Sequence, residues 1–166
     1  VSSFNDVHDI GKRFNVRCAV IDALPETRKA REFQQAEPYA VWLCYYVDSQ
    51  YGHTWDESNF IIKANRTELL DTTHDLIQKP GELIIPRRNT EVEQFALEMA
   101  NAVKVVDENP ETGSRAYKYR ATGPDHYRHA LGYCWLASER VPVSPDSTYE
   151  KPVQKYAISD WDEFAV

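Results

Sequence analysis

No run of apolar residues approaches the roughly 18 that a membrane span needs, so the sequence predicts a soluble chain. The opening stretch, VSSFNDVHDIGKRF, lacks the basic-then-apolar layout of a secretory leader. It also lacks an initiator Met, as a piece of a longer chain would. Cysteine is scarce: Cys18, Cys44 and Cys134 are odd in number, widely spaced and set in apolar runs. They fit neither a disulfide framework nor a zinc pattern, which predicts buried free thiols in a reducing compartment. Basic charge is in deficit, with 19 Lys and Arg against 26 Asp and Glu and a formal charge of −7. That argues against a dedicated nucleic-acid coat but leaves room for an enzyme with a local basic face. There is no internal repeat, and the phosphate-cradling pattern G-x-x-x-x-G-K-[ST] does not occur.

What is present reads as alternating elements. A length of 166 residues suits one domain with a sizeable core, and 42% apolar and 12% aromatic residues argue against disorder. SSFNDVHDIGKRF has a Ser cap and apolar residues at Phe4, Val7, Ile10 and Phe14, a helical period. VRCAVID is a short β-branched run ending in an acid. LPETRKAREFQQA predicts a helix with Pro25 and Glu26 in its first turn. AVWLCYYV is apolar on both faces, as a buried strand is. Residues 48–58 read as a polar loop, NFIIKAN as a strand and ELIIP as another short strand. RTELLDTTHDLIQK predicts a helix with Leu69, Leu70, Thr73, Leu76 and Ile77 on one side, stopped by Pro80-Gly81. NTEVEQFALEMANAV predicts one with Val92, Phe95, Ala96 and Met99 inward. KVVDENPETGSRAYKYR reads as a hairpin, and TGPDHYRHALGYCWLA as the last helix. Residues 141–166, with three prolines and several acids, read as a C-terminal tail.

Strands alternating with helices predict an α/β fold with a largely parallel sheet. Ligands of such sheets bind at the carboxyl ends of the strands. Asp22 stands at such an end and Asp125 at the start of a helix. Each alone reads as a helix cap. Together they become a site only if they converge.

In order along residues 4–139, CAVIDALPETRKAREF…VWLCYY, NRTELLD, GELIIP and TGPDHYRHALGYCWLA resemble the C-terminal nuclease domain of the large terminase subunit of tailed bacteriophages. The last segment is the most specific part, and VIDALPE the next. The resemblance implies an RNase H-like mixed sheet flanked by helices, here as a domain over 1–140. It implies a divalent-metal-dependent endonuclease that cuts concatemeric viral DNA, with Mg²⁺ or Mn²⁺ in a two-metal site. Asp22 matches the family's second acidic ligand and Asp125 its third. The implied partners are double-stranded DNA, the portal protein, the small terminase subunit and an ATPase domain upstream in the same polypeptide. The implied place is the host cell cytoplasm, at the procapsid portal. The chemistry suits these residues, because hard cations take carboxylate oxygens and keep several waters.

The sequence departs from the family in two ways. The family's first catalytic aspartate sits on a strand before the first helix seen here, and Asp6 and Asp9 lie on that helix and do not replace it. The ATPase half is also missing. The chain thus reads as a C-terminal piece lacking its N-terminal strands. VRCAVID would then show a bare edge, and the piece alone would cut weakly or self-associate.

Other residues have bland readings beside functional ones. Glu26, His126 and His129 are candidates to support the ligands, though Glu26 suits a first-turn acid and His129 a polar packing residue. His74-Asp75 reads as a surface pair. Lys63, Arg66, Arg87, Arg88, Lys118, Arg120 and Arg128 are candidates for DNA contact, while most single surface cations only solvate. YKYR at 117–120 could meet backbone and bases, yet alternate tyrosines also mark a half-buried strand. The competing reading of the whole is a catalytically incomplete docking module that binds portal, capsid or ATPase partners.

Overall fold

The computed structural model describes residues 3–141. The proposed tail from 142 onward lies outside them. Five helices and two sheets alternate in the described residues: α1 (Phe4–Arg13), β1 (Cys18–Asp22), α2 (Thr27–Ala36), β2 (Ala40–Tyr46), β3 (His53–Asp56), β4 (Ile61–Ala64), α3 (Arg66–Gln78), α4 (Thr90–Ala100), β5 (Ala102–Glu108), β6 (Arg115–Ala121) and α5 (His126–Ser138). None of the helices is long and apolar enough to cross a membrane.

The main sheet has the order β1-β2-β4-β3. β1, β2 and β4 run parallel, and β3 is antiparallel to β4. β1 therefore forms one edge among the described residues. β2 is central and buried on both faces, as its unbroken apolar sequence requires. On one face Trp42, Phe60, Ile62 and Leu69 pack with Tyr133 and Leu136 of α5. On the other, Leu43 packs with Ala23 and Ala30, and Val41 with Phe33 and Tyr39. The result is a mixed α/β layering, with α2 on one side of the sheet and α3 and α5 on the other.

Polar anchors set the helices on these faces. Gln34 of α2 is buried and donates Nε2 to the carbonyls of Val41 and Phe60, at 2.7 and 3.1 Å. Ser3 and Asp6 form a reciprocal capping box at α1. Gly132 lets α5 approach α3 closely, since a Cβ there would lie 3.0 Å from Leu69 Cγ. Arg128 of α5 is buried and donates to Met99 O at 2.8 Å and Leu70 O at 3.0 Å. It thereby ties α5 to both α4 and α3.

Several expectations need correction. Residues 48–58 are not all loop: β3 lies within them, turned onto β4 by Asp56, whose Oδ1 accepts the Ser58 and Asn59 N–H groups. ELIIP is not a strand. Pro80-Gly81 and Pro86 bracket it, it has no ladder partner among the described residues, and Ile84 is 89% exposed. α2 begins at Thr27, so Pro25 and Glu26 precede it, with Glu26 at the cap position. On the helices, Phe4, Ile10, Phe14, Ile77 and Ala96 are exposed. Cys18 and Cys44 are buried free thiols, but Cys134 is exposed on the outer side of α5.

The hairpin β5–β6 stands apart as its own sheet, held to α3 through Leu70, Ala102 and Tyr119. The period-2 pattern and the Asn109–Gly113 turn gave the hairpin correctly but not this separation. Replacing Arg128 with Ala should strip the hydrogen bonds from two buried carbonyls and cost about 2–4 kcal/mol of stability. Urea denaturation checks this; an unchanged midpoint would show that the guanidinium does not anchor α5.

Candidate functional site

The carboxyl ends of β1 and β2 and the start of α5 build the candidate site. Asp22 ends β1 and is exposed. Its Oδ1 accepts the Leu24 N–H at 3.0 Å, and its Oδ2 accepts the Tyr133 hydroxyl at 3.2 Å. Both are neutral donors, so they orient the carboxylate without cancelling its charge. Asp22 makes a local turn contact and does not cap α2.

Asp125 occupies the cap position of α5, yet its side chain makes no cap hydrogen bond. Glu98 of α4 takes over that task. Its Oε2 accepts the Tyr127 N–H at 2.9 Å, and its Oε1 accepts Gln94 Nε2 at 2.9 Å. Asp125 is thereby free to face inward. Its Oδ2 lies 3.3 Å from His129 Nε2 and 3.8 Å from Arg66 Nη2. These are electrostatic contacts and not well-formed hydrogen bonds, and Oδ2 is buried without a donor. His129 and Arg66 thus balance part of the charge on this buried oxygen without a well-formed hydrogen bond.

His129 joins the two acids. Its Nδ1 lies 2.6 Å from the Tyr46 hydroxyl, and its Nε2 lies 3.4 Å from Arg66 Nη2. Burial pushes the imidazole pKa down, Asp125 pulls it up, Arg66 pushes it down and Asp22 pulls it up. The ring is therefore biased toward neutrality while both carboxylates act on it. The rings of Tyr46 and Tyr133 stack at 5.9 Å. Burial drives both phenols far upward, so they stay protonated donors. Cys44, paired in register with Asp22, has its thiol pushed up to about 12 by burial and then by the Asp22 charge. It is not a nucleophile at neutral pH.

The sequence candidates divide. Asp22, Asp125, His129 and Arg66 share this one array. His126 opens α5 but is exposed, and Glu26 is an exposed cap-position acid paired with Lys29 at 2.7 Å. Arg128 is no surface cation: it is buried, and both of its Nη groups are bonded to backbone carbonyls. Lys118 and Arg120 both lean on Asp107 of the hairpin, at 3.4 and 3.5 Å, and Arg88 pairs with Glu93. Lys63 and Arg87 are exposed. His74 and Asp75 are exposed as expected, and Asp75 pairs with Lys79. Tyr46, Tyr133 and Glu98 escaped sequence reasoning. A signal existed for Tyr133: Asp125, His129 and Tyr133 recur every four residues, on one helical face. None existed for Glu98.

Two carboxylates fit an open site for a hard cation, which takes one or two acids plus water and phosphate. They do not make a closed cage. Among the described residues no group of three or more His, Cys, Asp or Glu is placed to hold a metal. Comparison with protein-family models, curated proteins and solved structures finds no match.

Glu98 generates a pH prediction. The Tyr127 N–H, then Gln94, hold its carboxyl below the usual range. Such an acid stabilises the fold above its unfolded pKa, about 4.3, and the contribution is lost as pH falls through the lowered value. Glu98→Gln should therefore melt lower than the parent at neutral pH, and the gap should close as pH drops below about 4. Melting curves from neutral to strongly acidic pH test this, and a gap independent of pH would rule out the carboxylate cap.

Proposed function

We propose that this chain is the RNase H-like endonuclease part of a phage DNA-packaging terminase, cutting concatemeric double-stranded DNA with Mg²⁺ or Mn²⁺. The observation that carries the reading is the side chain of Asp125. It stands at a helix start, leaves the capping to Glu98, and keeps a buried oxygen in the array that also orients Asp22. These are the two acids that the resemblance assigns to metal.

Asp22 and Asp125 would be the protein ligands. When bound, divalent cations supply an activated water and a clamp for charge on the phosphorane-like state. Tyr133 and the Leu24 N–H hold Asp22 in orientation. Arg66, anchored by Nη1 on the Tyr119 carbonyl at 2.8 Å, turns its other donors toward the crevice, where a phosphodiester is their natural acceptor. The upstream strand implied by the resemblance would add a further acid on the open edge of β1.

A second reading is supported by one observation. Arg66 lies 3.8 Å from Asp125 Oδ2 and balances part of its charge within the chain, as a docking module without catalysis would.

Plasmid nicking separates the two. The chain, joined to the upstream segment that the proposal calls for, should nick supercoiled DNA in Mn²⁺ with little sequence preference. Asp22→Asn and Asp125→Asn should each lower the rate by at least about 100-fold without changing the melting curve, since each removes a ligand charge and keeps the shape. Cutting that survives EDTA or either substitution would refute the nuclease reading, and no cutting by the parent would favour docking. If Lys118 and Arg120 also meet DNA, neutralising them should flatten the log–log salt dependence by about 0.9 per lost phosphate contact. An unchanged slope would leave them as hairpin ion pairs.

A further inference from the structure

The loop between β2 and β3 is fastened at several points. The Asn65 N–H donates to Gly52 O at 2.8 Å, and Asn65 Nδ2 donates to Gln50 O at 2.9 Å. Gln50 Nε2 donates to Lys63 O at 2.6 Å, and the Gly52 N–H is held by Glu68. Within this loop Tyr51 is 93% exposed. Tyr51 and Tyr117 of β6, itself 64% exposed, line one open groove of about 490 Å³. Asn65 and Thr67 line it too, and Arg66 between them reaches the Asp125 crevice, so groove and crevice adjoin.

We propose that this groove is a separate binding site for a single strand of DNA, whose unpaired bases stack on Tyr51 and Tyr117. Single exposed aromatics are ordinary on a protein surface. Two on one groove are not accounted for by packing, because neither ring is buried. Nor does the turn need Tyr51, since Gly52 supplies the left-handed residue at φ +65°. Lys104 Nζ lies over one face of the Tyr117 ring, 5.3 Å from its centroid, which leaves the opposite face for a base. The volume lies in the range of sites that hold small organic groups. Arg115 and Lys118 line the groove together with Asp48 and Glu68, so its charge is balanced and the rings carry the binding. Every base offers a π face, so such a platform tolerates any sequence. A duplex keeps those faces inside its own stack, so the occupant is an unpaired strand, as at an end or a nick. The choice of DNA rests on the nuclease reading; the groove and its two rings do not.

The whole chain is titrated in EDTA with fluorescein-labelled oligothymidine of about eight nucleotides, within the span such sites cover, and binding is read by anisotropy. A strand of equal length without bases and a duplex of equal length are the comparisons. Oligothymidine should bind at least about 10-fold tighter than the baseless strand. Tyr51→Ala and Tyr117→Ala should each weaken oligothymidine binding about 5–150-fold, the ratio for one stacked base, and leave the baseless strand and the duplex unchanged. Tyr51→Phe and Tyr117→Phe keep the ring and should keep the binding. Equal affinity for strands with and without bases would overturn the inference. So would parental affinity in either Ala variant, or a loss that is as large on the duplex. Should an Ala variant melt lower than the parent, the parent chain's preference for bases and the two Phe variants still decide. If oligothymidine binds as expected but the chain with its upstream segment does not nick plasmid, the nuclease reading fails and the groove stands. Nicking without any preference for bases keeps the nuclease and strikes the groove.

Discussion

Arg128 reaches from α5 to the backbones of α3 and α4, and its two buried hydrogen bonds set where α5 lies. Nearly everything at the crevice depends on that placement, because α5 carries Asp125, His129 and Tyr133. A guanidinium suits the task. Its rigid fork can serve two carbonyls at once, and Tyr119 covers its face at 5.4 Å. The remaining gap between α5 and α3 is closed by having no side chain at Gly132.

A second exchange of roles shapes the electrostatics. A carboxylate at a helix start normally satisfies the first free N–H groups itself. Here Glu98 does so from a neighbouring helix, and the residue at the cap position turns its charge to the crevice. The helix keeps its cap, and the site gains an acid held on a rigid element. Arg66 and the neutral imidazole of His129 then decide how much of that charge is balanced without any ligand.

The legible parts of this fold were those with strong local patterns. The β2 run, the capped helices and the period-2 hairpin each announced themselves. β3 did not, because HTWD is short and polar and gains its strand character from pairing with β4. ELIIP misled for the opposite reason: its composition suits a strand, but no neighbour among the described residues completes a ladder. At the site, Asp22 and Asp125 were visible because element ends expose acids. Tyr46 and Tyr133 read as core aromatics, since nothing local shows where a phenol's hydroxyl will point. Arg128 read as a surface cation because sequence does not reveal which of several arginines turns inward. The RNase H-like topology rests on resemblance alone, while the mixed α/β layering is directly visible.

The aromatic residues also divide the molecule optically. Among the described residues the tryptophans are Trp42, Trp55 and Trp135. Trp42 meets Trp55 edge-on at 4.8 Å, Arg140 lies over Trp55 at 4.3 Å, and Trp135 packs against the same core. The hairpin and α4 have no tryptophan and carry tyrosine or phenylalanine instead. Intrinsic tryptophan emission from this region therefore reports the main sheet and α5, and a hairpin that opens by itself passes unseen in it.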